Sequence, residues 1–139
     1  MAVLGAGFAT TLVTADVTLQ TWMQREDLER LESRGPLARS LAAQVRIWEP
    51  VQRELFTGLG GTVAETNVAY LHDPLTVQAL LDPGCLRFES LRILPTVAGG
   101  VLRTLEVDPA LGIGAEMRVA TEVDSEAARD AIVEPLLGL

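Results

Sequence analysis

The stretch Val68, Ala69, Tyr70, Leu71, His72, Asp73, Pro74, Leu75 constrains the fold more than any other part of the chain. An apolar run ends on a histidine, and the next two residues are ones a helix uses to begin: Asp73 suits the N-cap and Pro74 the first helical position. Leu75, Val77, Leu80 and Leu81 then supply the apolar stripe of that helix. The junction carries the only histidine of the chain directly beside a carboxylate. Free backbone N–H groups and the helix dipole make such a helix start a favoured place for chemistry.

At 139 residues, 48% of them hydrophobic, the chain is long enough for a single domain, 1–139, with a real core. Its 19 acidic and 11 basic residues leave a formal charge of −8, which argues against a general affinity for nucleic acid or an anionic membrane. The single Cys85 rules out an internal disulfide framework, and one cysteine with one histidine is too little for a typical zinc site. A bound metal would therefore be a hard cation on oxygen ligands. Met1 to Val13 is apolar, lacks the basic flank of a secretory signal and is too short to span a bilayer. It reads as a buried strand and its approach, and a cytoplasmic protein is the default expectation.

Taken in order, Phe8 to Thr18 is rich in β-branched residues and suits a buried strand of a parallel or mixed sheet. Asp16 and Thr18 then lie at the strand end where open α/β sheets bind ligands, or Asp16 simply caps the turn into the next helix. Arg25 to Ser33 is a short amphipathic helix with Leu28 and Leu31 on one side. Pro36 opens a longer helix in which Leu37, Leu41, Val45, Trp48, Val51 and Leu55 form one buried face, with a kink expected at Pro50. Trp48 and Phe56 line a pocket or, as is commoner at this spacing, fill the core. Thr57 to Gly61 lacks the lysine of a phosphate loop and reads as a flexible connection or lid. Glu65 and Asn67 are solvated loop residues or ligands. Leu86 to Val97 is a strand with an edge or bulge at Pro95; Gly99 and Gly100 turn it into an antiparallel partner, Val101 to Val107. Met117 to Val123 is a third strand, and Ser125 caps a closing helix with Ala128, Ile132, Val133 and Leu136 inward.

A lone histidine next to a helix start is most simply structural. With a carboxylate beside it, the pair can do more: Asp73 can contribute to holding a divalent cation, while an imidazole with an ordinary pKa of about 6.5 exchanges protons near neutrality. One aspartate is not a calcium site, because calcium takes about six to eight oxygens.

Leu12, Val13, Thr14, Ala15, Asp16, Val17, Thr18, then two helices, then Leu71, His72, Asp73, Pro74, Leu75, Thr76, Val77, and then Leu81, Asp82, Pro83 resemble the C-terminal part of the inosine-uridine preferring nucleoside hydrolases. The order and spacing agree, as does a tail of strands, a hairpin and a last helix opening after Val123, Asp124. The similarity covers nearly the whole chain. It implies an α/β fold, a partial nucleoside-hydrolase-like one, with a mixed sheet, antiparallel C-terminal strands and flanking helices. By the same resemblance Asp73 is a calcium ligand, His72 is the histidine that protonates the departing base, and Phe56 lies near the mobile aromatic segment over the base. Asp16 and Thr18 match the L-D-V-T strand end, with Ala15 in place of the usual leucine, and receive no catalytic role.

The family's D-x-D-P-G-x-D-D segment, which supplies the general base and most calcium ligands, does not occur in these 139 residues. Glu65, Thr66, Asn67 resemble the family's ribose-binding Glu-x-Asn in letters only, since they follow Asp16 instead of preceding it. The expectation is a nucleoside-hydrolase-like chain, inactive alone, that binds a nucleoside or another ribose-containing molecule. Its partner would be an N-terminal chain or a second copy burying the Phe8 to Thr18 strand. The alternative is a non-catalytic binding or assembly module that keeps part of the fold.

Overall fold

The computed structural model describes Leu4 and residues 6–139. Met1, Ala2, Val3 and Gly5, in the approach to the first strand, lie outside the described residues. Strand β1 (Thr11–Leu12) leads through helix α1 (Ala15–Thr18) to β2 (Trp22–Gln24). Helices α2 (Arg25–Glu32) and α3 (Pro36–Gly58) follow, then β3 (Asn67–Tyr70) and α4 (His72–Leu81). The chain closes with β4 (Leu86–Ala98), β5 (Val101–Glu106), β6 (Ala115–Val123) and α5 (Ser125–Leu136). A four-stranded sheet has the order β1-β6-β4-β5, and β2 pairs with β3 in a separate two-stranded sheet. β1 runs parallel to β6, whereas β4 is antiparallel to both β5 and β6. The sheet is mixed, with antiparallel C-terminal strands and flanking helices, as the sequence leads one to expect.

The hairpin is dictated locally. Gly99 and Gly100 have φ of 59° and 80°, the left-handed pair that a two-residue turn needs to match strand twist. Pro95 pairs with Thr104 on the stretch of β4 beyond Ile93, where β6 has already ended. On that side no ladder bond is missed.

Several expectations are corrected. Phe8 to Thr18 is not one buried strand: pairing stops at Leu12, Phe8 is 70% exposed, and the N–H groups of Val17 and Thr18 turn back onto the Thr14 carbonyl. A short apolar run with Asp16 two residues before its end suits a helical first turn as well as a strand, and periodicity alone cannot separate them. Asp16 is an exposed residue of that turn. In α3 the buried residues are Ala38, Ala42 and Gln52, while Leu37, Trp48, Val51 and Leu55 are exposed. Leu28 and Leu31 of α2 share a core cluster with Ala38 and Ala42; small residues let the two helices approach closely, and the larger ones are left outside. The helix continues through Pro50 to Gly58.

Helix α4 starts at His72 with Leu71 as N-cap, so Asp73 and Pro74 sit inside its first turn instead of at cap and first position. Its inward residues are Leu75 and Ala79; Val77, Leu80 and Leu81 face outward. At the last helix Asp124, not Ser125, is the cap, its Oδ1 accepting the Ala127 N–H at 3.1 Å. Ala128 and Val133 are buried and Ile132 and Leu136 pack against the core. Asn67 is no loop residue: it is in β3 and 1% exposed.

The α4 stripe gives a direct check. Leu75 is fully buried and Leu80 is 80% exposed. Leu75→Ala is expected to lower stability by about 2–5 kcal/mol in urea denaturation, and Leu80→Ala by less than about 0.5 kcal/mol.

Candidate active site

Antiparallel pairing of Trp22 with Tyr70 places the residues before Trp22 beside those after Tyr70. The Leu71 N–H donates to the Thr21 carbonyl at 3.0 Å and extends that pairing. The end of α1 and the beginning of α4 are thereby brought together, and Thr18 Oγ1 lies 2.6 Å from His72 Nδ1. A donating hydroxyl at Nδ1 leaves the ring proton on Nε2; a protonated Nδ1 would donate to the same oxygen. Thr18 itself is 4% exposed, so the contact sits at the margin of the core.

The imidazole is half-buried, and burial pushes its pKa below the ordinary histidine value, against the weaker opposing pull of the Asp73 charge. Asp73 is exposed in the first turn of α4, where a negative charge faces the positive end of the helix dipole. An aromatic series approaches from the other side. Phe56 lies 4.8 Å from Tyr70 between ring centroids, Tyr70 lies 5.5 Å from His72, and Trp22 packs edge-on to Tyr70. The structure thus gathers His72, Asp73, Tyr70, Thr18 and, one ring removed, Phe56. Asp16 goes elsewhere: with Thr14, Thr104 and Glu106 it lines a cleft of ≈ 250 Å³ against the sheet. A second cleft, of ≈ 280 Å³, is lined by Trp22, Gln24, Ser125 and Arg129. His72, Asp73 and Phe56 line neither of these two clefts.

What holds the site in place is polar and buried. Gln52 of α3 accepts the Tyr70 N–H at 2.8 Å and donates to Asn67 Oδ1 at 3.2 Å. The neighbouring Arg53 donates to the carbonyls of Glu65 and Asn67, at 3.2 and 2.9 Å, and pairs with Glu49, which also receives Arg25. These residues fix the segment leading into β3 and hence the direction of Tyr70 and His72. Sequence reading passed over Gln52 and Arg53, and named Thr18 without giving it a catalytic role. The available signal was a glutamine on the Ala38, Ala42 side of α3, a polar residue on a face otherwise made for packing.

Among the described residues no group of three or more His, Cys, Asp or Glu side chains could hold a metal ion. The residues present do not make a calcium site by themselves. No described helix is long and apolar enough to cross a membrane.

A scan of protein-family models finds no match to this sequence, and a search of curated proteins finds none. Solved structures do match. A plant nucleoside hydrolase superposes with a TM-score of 0.78 at 22% identity, over 99% of this chain and 44% of its own. A purine-preferring ribonucleoside hydrolase from Gardnerella vaginalis gives 0.78 and 22%, over 98% of this chain and 42% of its own. An inosine-uridine preferring nucleoside hydrolase from Bacillus anthracis gives 0.59 and 17%, over 99% and 39%. The fold is that of part of a nucleoside hydrolase. This chain spans about two fifths of the length of those structures.

Two outcomes follow. His72 is the only histidine, so its imidazole Hε1 is the single histidine Hε1 signal in the NMR spectrum, expected to titrate below about pH 6.5. The folded protein then binds fewer protons than the unfolded one. The contribution to stability is complete above about pH 6.5 and is lost as pH falls through the folded-state value; a His72→Gln variant should lack that part of the pH dependence. Gln52→Leu strips the Tyr70 N–H and the Asn67 amide of a partner and should cost about 2–4 kcal/mol in chemical denaturation.

Proposed function

We propose that this chain is the portion of a nucleoside-hydrolase-like enzyme that carries the general acid, and that it acts on the N-ribosidic bond of purine or pyrimidine nucleosides only in company with an aspartate-rich segment outside these 139 residues. The observation that carries the reading is the His72 imidazole, anchored by Thr18 at 2.6 Å and followed directly by Asp73 at the start of α4, within a fold shared with nucleoside hydrolases. His72 would hand a proton to the departing base. Its lowered pKa makes the imidazolium a stronger acid but a scarcer one at neutral pH. Thr18 would fix the ring through Nδ1, leaving Nε2 as the nitrogen that meets the leaving group. Phe56 and Tyr70 would offer flat apolar surface to the base.

Calcium enters as a proposal on the same footing. Asp73 would supply one oxygen ligand, and the remaining ligands would come from outside the described residues. This chain's residues do not fit the ion unaided.

A second reading, a binding or assembly module that keeps the fold without the chemistry, is favoured by the lack of a metal-binding cluster among the described residues and by Asp73 standing exposed without one.

The isolated chain is expected to release no base from inosine or uridine, with or without added calcium, because a general acid alone contributes only about 10²–10⁴ in rate. In a longer product with D-x-D-P-G-x-D-D upstream, His72→Ala should lower kcat by about 10²–10⁴. Hydrolysis that survives His72→Ala unchanged would sink the catalytic assignment; no binding of ribose or calcium by either form, measured by calorimetry, would favour the assembly module.

A further inference from the structure

The segment that forms β2 has two unlike sides. Thr21 and Met23 are buried, whereas Gln20, Trp22 and Gln24, which alternate with them, are not. Ser125, Glu126 and Arg129 stand together on the first turns of α5, at spacings that make them neighbours on a helix surface. These six side chains line the ≈ 280 Å³ cleft between β2 and α5, and the proposed reaction uses none of them.

Charge and shape narrow what the cleft can take. Its lining holds one carboxylate, Glu126, and one guanidinium, Arg129, and the guanidinium is already met by Asp130 at 3.0 Å and Asp27 at 3.7 Å. An anion therefore gains little there. What remains is a flat indole, two carboxamides and a hydroxyl. A carboxamide presents a donor beside an acceptor and pairs two-pronged with a ring edge that does the same, while an indole face stacks on the ring itself. Gln20 is ordered for this, its Nε2 donating to the Asp16 carbonyl at 2.7 Å, with Oε1 left to accept. Among the described residues the enclosed Trp22 Nε1 meets no acceptor. An unmade bond of this kind is costly, and a small turn of the indole toward the cleft would let a bound carbonyl make it. The volume is near the lower end of the roughly 300–1,000 Å³ of small-molecule sites, which suits a bare ring and not a ring with a sugar attached.

We infer that the cleft between β2 and α5 is a binding site for a neutral heteroaromatic amide, the chemistry shared by free nucleobases and nicotinamide, stacked on Trp22. The inference does not depend on the nucleoside reading.

The chain has two tryptophans, Trp22 and Trp48, so in a Trp48→Phe background the indole fluorescence reports Trp22 alone. Uracil or nicotinamide should quench it saturably at about millimolar concentration or below, the tighter of the two naming the source, and the anion benzoate should not. Gln20→Ala and Ser125→Leu should each weaken that binding at least about fivefold with unchanged circular dichroism. Trp22 lies 6.4 Å from Tyr70 between ring centroids, so a ring held against Phe56 at the candidate active site would also be sensed. Phe56→Ala separates the two, because it should leave the affinity of the cleft unchanged. No saturable quenching by uracil or nicotinamide, benzoate binding as tightly as they do, or an affinity that falls with Phe56→Ala and not with Gln20→Ala would overturn the inference.

Discussion

One buried amide holds the arrangement together. The side chain of Gln52, 1% exposed, satisfies the Tyr70 N–H on the outer edge of β3 and meets Asn67 at the start of that strand. β3 belongs to a two-stranded sheet, and such a pair has little stability of its own in water. Hydrogen bonding to α3 on one side and to β2 on the other converts it into a fixed element. A buried polar group without a partner is costly, so the glutamine ties the register of β3 to the helix as well as its position. Arg53, one residue on, does the same for the segment before the strand, through carbonyls that would otherwise be open.

The chemistry of the site follows from that placement. Because β3 cannot slide, Tyr70 is held between Phe56 and His72, and the imidazole is pressed against Thr18. This half-burial lowers the histidine's affinity for a proton, while the adjacent carboxylate remains in solvent at the dipole-favoured end of α4. Two neighbours in sequence therefore have opposite surroundings: one is tuned by desolvation, the other is free to meet a cation or a ribose hydroxyl. Divergent environments for adjacent titratable groups are a common basis for assigning separate tasks in a catalytic pair.

Most of the antiparallel half of the fold could be read from residues alone. Gly99 and Gly100 dictate the turn between two apolar runs, and Asp82, Pro83, Gly84 stop α4 where expected. The junction at His72 was legible because a strand, an acidic residue and a proline coincide there. Burial in the helices was not. In α3 the fully buried apolar residues are alanines while Leu37, Trp48, Val51 and Leu55 are outside, and in α4 Leu75 and Ala79 turn inward while Val77, Leu80 and Leu81 do not, because close helix packing selects for small residues and an apolar stripe says only that some face is covered. The Thr18 contact was illegible for a different reason. It spans 54 positions and depends on the pairing of β2, a three-residue strand too short to carry a periodic signal.

The β1 edge and the exposed side of α3 are open surfaces of different kinds. β1 is an edge strand, parallel to β6, whose free side offers backbone donors and acceptors over Thr11 and Leu12 and little side-chain area. Parallel strands are normally covered on both faces and flanked by further strands, so this edge suits the continuation of an α/β sheet. The exposed side of α3 offers side chains and no free backbone groups, because a helix satisfies its own. The candidate active site lies at the α1 to α4 junction, and Gln52 and Arg53 of α3 clamp the segment that enters β3 beside it.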